Sequence, residues 1–205
     1  MRNLFNVSSY LLIGAYCALA LWSAHDVFIV GDPALYAENG FLETLQAVLL
    51  GIGCLLFLAP VASRKEPGKL IFLFCSLLCY SFVVRELDVE LLNVPEVVKF
   101  IGSGIGRNAS LALAFSAILI YAVANFSYYK KTGLQFLKSR AGILLMLGGV
   151  LLQVGDLFEK NHALQHHVFF EEFSELSGYV LILLSALAVN SAIARRNGCS
   201  PTGGR

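Results

Sequence analysis

Runs of apolar residues broken by short polar clusters recur from one end of this chain to the other. Six of them are bounded near 9–28, 43–63, 70–87, 109–127, 141–157 and 175–194. Each is close to the roughly 20 residues that carry a helix across the hydrocarbon core. Hydrocarbon offers the backbone no partner, so such segments must satisfy their own N–H and C=O groups and are helices. No alternating pattern supports a barrel. The reading is an all-α, polytopic membrane protein with six transmembrane helices. They form one domain over 1–197, followed by a disordered tail over 198–205.

The polar clusters differ on the two sides. One side has a short loop from Arg64 to Lys69, a basic loop between the fourth and fifth spans, and the tail. The other carries more chain. Asp32-Pro33 reads as an N-cap and first helical residue, opening a short helix to Glu38 that Asn39-Gly40 ends. The stretch from Val89 to Asn108 is amphipathic and suits a helix lying in the interface, with Gly102 to Gly106 as a hinge into the fourth span. Asn161 to Phe170 is expected to extend the sixth span outward.

Composition agrees with the spans: 57% of the 205 residues are hydrophobic and 14% charged, against about 25% charged in a soluble domain. Charge then gives orientation. Of the 15 Lys and Arg residues, only Arg85, Lys99, Arg107 and Lys160 fall on the more elaborate side. Of the 14 acids, only Glu66 falls on the other. The positive-inside rule makes the basic side cytoplasmic, with both termini there. The expected first partner is the lipid bilayer. A surface so acidic outside and so short inside excludes nucleic acid. Cys17, Cys54, Cys75 and Cys79 sit within apolar spans and read as small hydrophobes rather than metal ligands.

The outer polar groups are spaced at helical intervals. The second span carries Asn39, Glu43 and Gln46; the third, Ser81, Arg85 and Asp88. The fifth carries Gln153, Asp156 and Lys160 with Gly149 on the same face; the sixth, His167, Glu171, Ser174, Glu175 and Gly178. Groups at i, i+3/i+4 and i+7/i+8 share a face. Lipid would not tolerate them, so these four faces are expected to converge. Counting from Lys69 and from Arg140, Arg85 and Asp156 both lie about 24 Å above the inner boundary; counting from Arg64 and from Arg195, Glu43 and Glu175 lie near 30 Å. The expectation is a buried Arg85–Asp156 ion pair, shared with Glu171 or Glu86, which serves equally well as a structural latch or as the floor of a site.

Candidate chemistry centres on His167, Glu171, His166, Asp88 and His25, from which two or three ligands for a divalent ion, zinc first, would come. Glu43 or Glu175 would act as general base. His162 and His166 at i, i+4 have a plainer reading as surface histidines. Lys99 and Arg107 are candidates for a lipid phosphate, although the glycines between them lack the strand and lysine of a phosphate loop.

Arg85-Glu-Leu-Asp88 closing one helix, Asp156 with Lys160 closing another, and Glu171-Glu172 with Glu175 opening the last resemble a family of small bacterial inner-membrane proteins of uncharacterised function. The likeness, which includes Glu38 and Glu43, covers the second to sixth spans. It implies the topology and a shared outward acidic site, and no activity. A more distant likeness is to alkaline ceramidase-like membrane hydrolases. The histidines here cluster before the sixth span, so no zinc-binding role is carried across.

Three functions fit. The first is a binding or accessory role, with the acidic and histidine-bearing face between the second, third, fifth and sixth spans docking a membrane-protein partner. The second is a metal-dependent hydrolase acting on a lipid or lipid-linked substrate at the outer leaflet. The third is cation or proton-coupled transport, against which the nearly charge-free inner halves of the spans weigh.

Overall fold

The computed structural model describes residues 2–31, 35, 40–62, 68–87, 89, 93–161 and 163–198. Among them there are helices and no strand. Helix α1 (Arg2–His25) continues as a π-helical segment over Asp26–Val30, and Gly31 closes it in the left-handed region at φ 77°. Then follow α2 (Phe41–Ala62), α3 (Lys69–Glu86), α4 (Glu96–Gly102), α5 (Gly104–Ala124), α6 (Phe126–Leu137), α7 (Arg140–Glu159) and α8 (His167–Gly198). Among the described residues, five segments are long and apolar enough to cross a membrane: Val7–Val30, Phe41–Ala62, Gly104–Ala124, Arg140–Glu159 and His167–Arg196. The third expected span is α3, 18 residues long, with Lys69 at one end and Arg85 and Glu86 at the other; it is not one of those five.

Helix α8 is the axis of the bundle. Leu176, Tyr179, Ile182, Leu183 and Ala186 on it are buried, and α7, α2 and α1 all pack against it. Helix α3 packs on α2, and α5 stands to the side against α3 and α4. Cys75 and Cys79 are buried in the central apolar cluster with Phe57 and Tyr179.

Close approach of α7 and α8 depends on glycine. A Cβ on Gly148 would lie 2.8 Å from the Gly178 carbonyl oxygen, and one on Gly178 would lie 2.9 Å from that of Gly148. Small residues let helix backbones touch where burial in lipid supplies no hydrophobic drive. Gly149, expected on this face, instead looks into open space.

Polar side chains then tie the helices together where the backbone has lost a partner. Pro60 sits inside α2 and has no N–H to give to the carbonyl four residues back, that of Leu56. Asn190 on α8 donates Nδ2 to the Leu56 oxygen at 2.8 Å. With no proline involved, Ser185 Oγ also donates across to the Ala141 carbonyl at the start of α7, at 2.7 Å.

Two connections differ from expectation. The basic stretch between the fourth and fifth spans is helical, as α6, and Ser139 then caps α7 by accepting from the Gly142 N–H at 3.2 Å. On the other side, the described residues between Val89 and Ser103 include the seven-residue helix α4. Ser103 is extended there, and Gly104 takes φ 52° at the start of α5. Of the expected extension of the sixth span over 161–170, helix α8 takes in 167–170, while 163–166 form turns and a bend. Asp32-Pro33, Glu38, Asn39, Arg64 to Glu66, Asp88, His162 and the tail from Cys199 lie outside the described residues.

Candidate functional site

Arg85 occupies the last turn of α3, where the carbonyl end of the helix dipole favours a cation. Its guanidinium donates from Nε to Glu86 Oε1 at 3.0 Å and from Nη2 to Glu175 Oε1 on α8. The Glu86 and Glu175 side chains are 8% and 6% exposed, and that of Arg85 is 46%. Two sheltered carboxylates therefore hold one guanidinium whose far edge is open. Tyr179, one turn below Glu175 and fully buried, donates its hydroxyl to Glu86 Oε1 at 2.7 Å.

A second link joins α2 to α8. Gln46, fully buried, donates Nε2 to the Glu172 carbonyl oxygen at 3.0 Å and to Glu172 Oε2 at 2.9 Å. The two links form one polar layer, because Glu172 and Glu175 are three residues apart on α8. Beside the layer, Gly155 of α7 lies so close that a Cβ there would be 3.0 Å from Glu175 Cγ. Two buried oxygens near this end, Gln46 Oε1 and Ser23 Oγ, have no hydrogen-bond partner among the described residues.

The layer is acidic. Glu171 feels the charges of Glu159, Glu175, Asp156 and Arg85, and Glu172 feels those of Glu175, Glu43 and Glu86. Carboxylates at i, i+3 and i+4 along α8 repel, and within this layer Arg85 is the cation paired with carboxylates.

The expected ion pair is thus changed in its partner. Arg85 pairs with Glu175 and Glu86 rather than with Asp156. Asp156 lies on α7, which packs on α8, whereas α3 packs on α2. The half-buried Asp156 instead adds negative charge near Glu171. Glu175, a candidate base, is one half of the ion pair. Glu43, the other, stands in the first turn of α2 within electrostatic reach of Glu172.

The histidines are spread out. His25 is exposed at the end of α1, and His167 opens α8. His166 adopts a left-handed backbone, φ 60°, and lays its ring edge-on to Phe28 at 5.6 Å between centroids. Among the described residues no three His, Cys, Asp or Glu side chains come together as a metal-binding group; Asp88 is outside them. Lys99 is on α4, and Arg107 donates Nη1 to the Val84 carbonyl at 3.1 Å, tying α5 to the last turn of α3. Sequence reasoning did not assign Tyr179 to the site. Its spacing, one turn beyond Glu175 on the same face, was the available signal.

Comparison of the chain with family models, curated proteins and solved structures gives no match.

Proposed function

We propose that this chain is a six-span protein of a bacterial inner membrane, with both termini cytoplasmic. Its acidic layer between α2, α3, α7 and α8 opens outward and docks a cationic segment of a membrane-protein partner in a non-catalytic role. The likeness to small six-span membrane proteins carried by Arg85 to Asp88 belongs to the same proposal. One observation carries the reading: a single guanidinium is shared by Glu86 and Glu175 while Glu171, Glu172 and Asp156 stand around it. Such an excess of negative charge favours a partner of opposite sign and disfavours wrong partners by repulsion.

The test is photo-crosslinking from position 168, one turn before Glu171 and Glu172 on α8, in intact membranes. A discrete adduct should form. Glu171→Gln combined with Glu172→Gln should abolish it, without change in the detergent stability of the purified chain. An adduct indifferent to both substitutions, or none at any ionic strength, refutes the docking role. Elemental analysis of the same preparation separates the hydrolase reading. That reading requires stoichiometric metal, lost in a His167→Ala/Glu171→Ala variant.

A further inference from the structure

A cavity of about 1120 Å³ opens between α1, α3, α6, α7 and α8 and runs from just below the acidic layer to the basic end of the bundle. It exceeds the roughly 300–1,000 Å³ of an ordinary small-molecule pocket. Its form follows from how α1 meets α8. Tyr16 stacks on Phe173, with 5.8 Å between ring centroids, and its hydroxyl lies 2.5 Å from Ser177 Oγ. From that crossing toward the basic end, α1 contributes Ile13 and Tyr10 to one wall and α8 contributes Leu181 and Leu184 to another. Leu144 and Leu151 of α7 line the same space.

The lining is graded along the bundle. Ser177 to Arg195 covers about 27 Å of α8, close to the roughly 30 Å of a hydrocarbon core. Over that length the α8 wall is mainly apolar. At one end four cations gather from three helices: Lys131 of α6, Arg140 of α7, and Arg195 and Arg196 of α8. Among the described residues none of the four is in an ion pair, since both ion pairs belong to Arg85. Arg195 lies back on Ser191, itself a lining residue, with 3.3 Å from Nε to the carbonyl and 3.4 Å from Nη2 to Oγ. Topology alone accounts for basic residues on the inner face. It does not account for their gathering at the mouth of one long apolar slot.

We propose that this slot holds an anionic phospholipid of the inner leaflet. Its headgroup phosphate sits among Lys131, Arg140, Arg195 and Arg196, and one acyl chain runs along α8 toward Tyr16. Arginine pairs with phosphate through charge-assisted, often bidentate hydrogen bonds, and surface cations near a leaflet already favour acidic lipid. The slot adds a defined place and stoichiometry. A proteinaceous occupant, a second copy of the chain included, would have to bring its own acidic group to this mouth.

The test uses the full chain in detergent, titrated with dioleoyl phosphatidylglycerol or dioleoyl phosphatidylcholine and followed by native mass spectrometry. One phosphatidylglycerol per chain should bind at least about tenfold more tightly than phosphatidylcholine. Arg140→Gln with Arg195→Gln should remove most of that preference. Leu184→Trp, which fills the slot, should weaken both lipids while helical content and melting temperature hold. Equal binding of the two lipids, an unchanged preference in the charge variant, complete displacement by millimolar inorganic phosphate, or a lipid-free dimer would each overturn the proposal. None of these residues belongs to the acidic layer, so the outcome is independent of the docking role.

Discussion

At the scale of the residue, the weight falls on Arg85. Removing it strips the charge partner from Glu175, which is only 6% exposed, and from Glu86, which also accepts from Tyr179. Breaking a fully buried pair costs about 3–5 kcal/mol. The 46% exposure of Arg85 brings the expectation down to about 1–3 kcal/mol. Arg85→Ala should therefore lower the detergent melting temperature by several degrees, and adding Glu175→Gln should restore part of the loss by removing the stranded charge. A single variant as stable as the parent, or a double variant whose losses simply add, would show that no such coupling exists. The sequence located Arg85 and offered Glu86 as a sharer but did not find Glu175, and the reason lies in side-chain reach. Counting along helices compares Cα heights, and on that measure Asp156 matched Arg85. Arginine extends well beyond its own Cα, so it meets the carboxylate placed higher up, Glu175. Asp156 stands on α7, which packs on α8.

At the scale of the element, hydropathy and length located the spans well, because lipid solubility is written in consecutive residues. Expected spans at 43–63 and 141–157 became the crossing-length helices Phe41–Ala62 and Arg140–Glu159, while that at 70–87 became the helix Lys69–Glu86, outside the five segments apolar enough to cross. What failed were the elements at the interface, whose residues are neither wholly apolar nor wholly polar. Lys130 and Lys131 made α6 look like a loop, although Phe126, Tyr129 and Phe136 provided the apolar part of an amphipathic helix. Contacts between elements were less legible still, because a proline and an asparagine far apart in sequence carry no mutual signal. The Pro60–Leu56–Asn190 arrangement yields a clean prediction. Asn190→Leu should destabilise the parent by about 1 kcal/mol, the usual scale for an interhelical hydrogen bond in lipid. In a Pro60→Ala background the restored N–H at position 60 can satisfy the Leu56 carbonyl, and the same substitution should cost distinctly less. Equal costs in the two backgrounds, read from melting curves, would mean that Asn190 does not compensate for the proline.

At the scale of the whole molecule, one question of parity decides the architecture. Five segments meet the requirements of length and apolarity for crossing, and five crossings would leave the termini on opposite sides. Helix α3 changes the parity. Its 18 residues rise about 27 Å, and its charges are at its ends, Lys69 at one and Arg85 with Glu86 at the other. Its position supports a crossing, for it lies along α2 and brings Arg85 to Glu175 on α8. If α3 crosses, the mouth formed by Lys131, Arg140, Arg195 and Arg196 faces the same side as Lys69, and the acidic layer faces the other. If it did not, basic clusters would be divided between the two sides, against the rule that places them in the cytoplasm. The prediction is that reporter fusions at both termini give a cytoplasmic signal. In a cysteine-free background, Leu164→Cys should react with an impermeant maleimide in intact cells, and Thr132→Cys only after lysis. Termini on opposite sides would remove α3 from the set of spans. The two ends of the bundle would then no longer face opposite compartments, and the outward docking role and the inner-leaflet lipid would both lose their geometry.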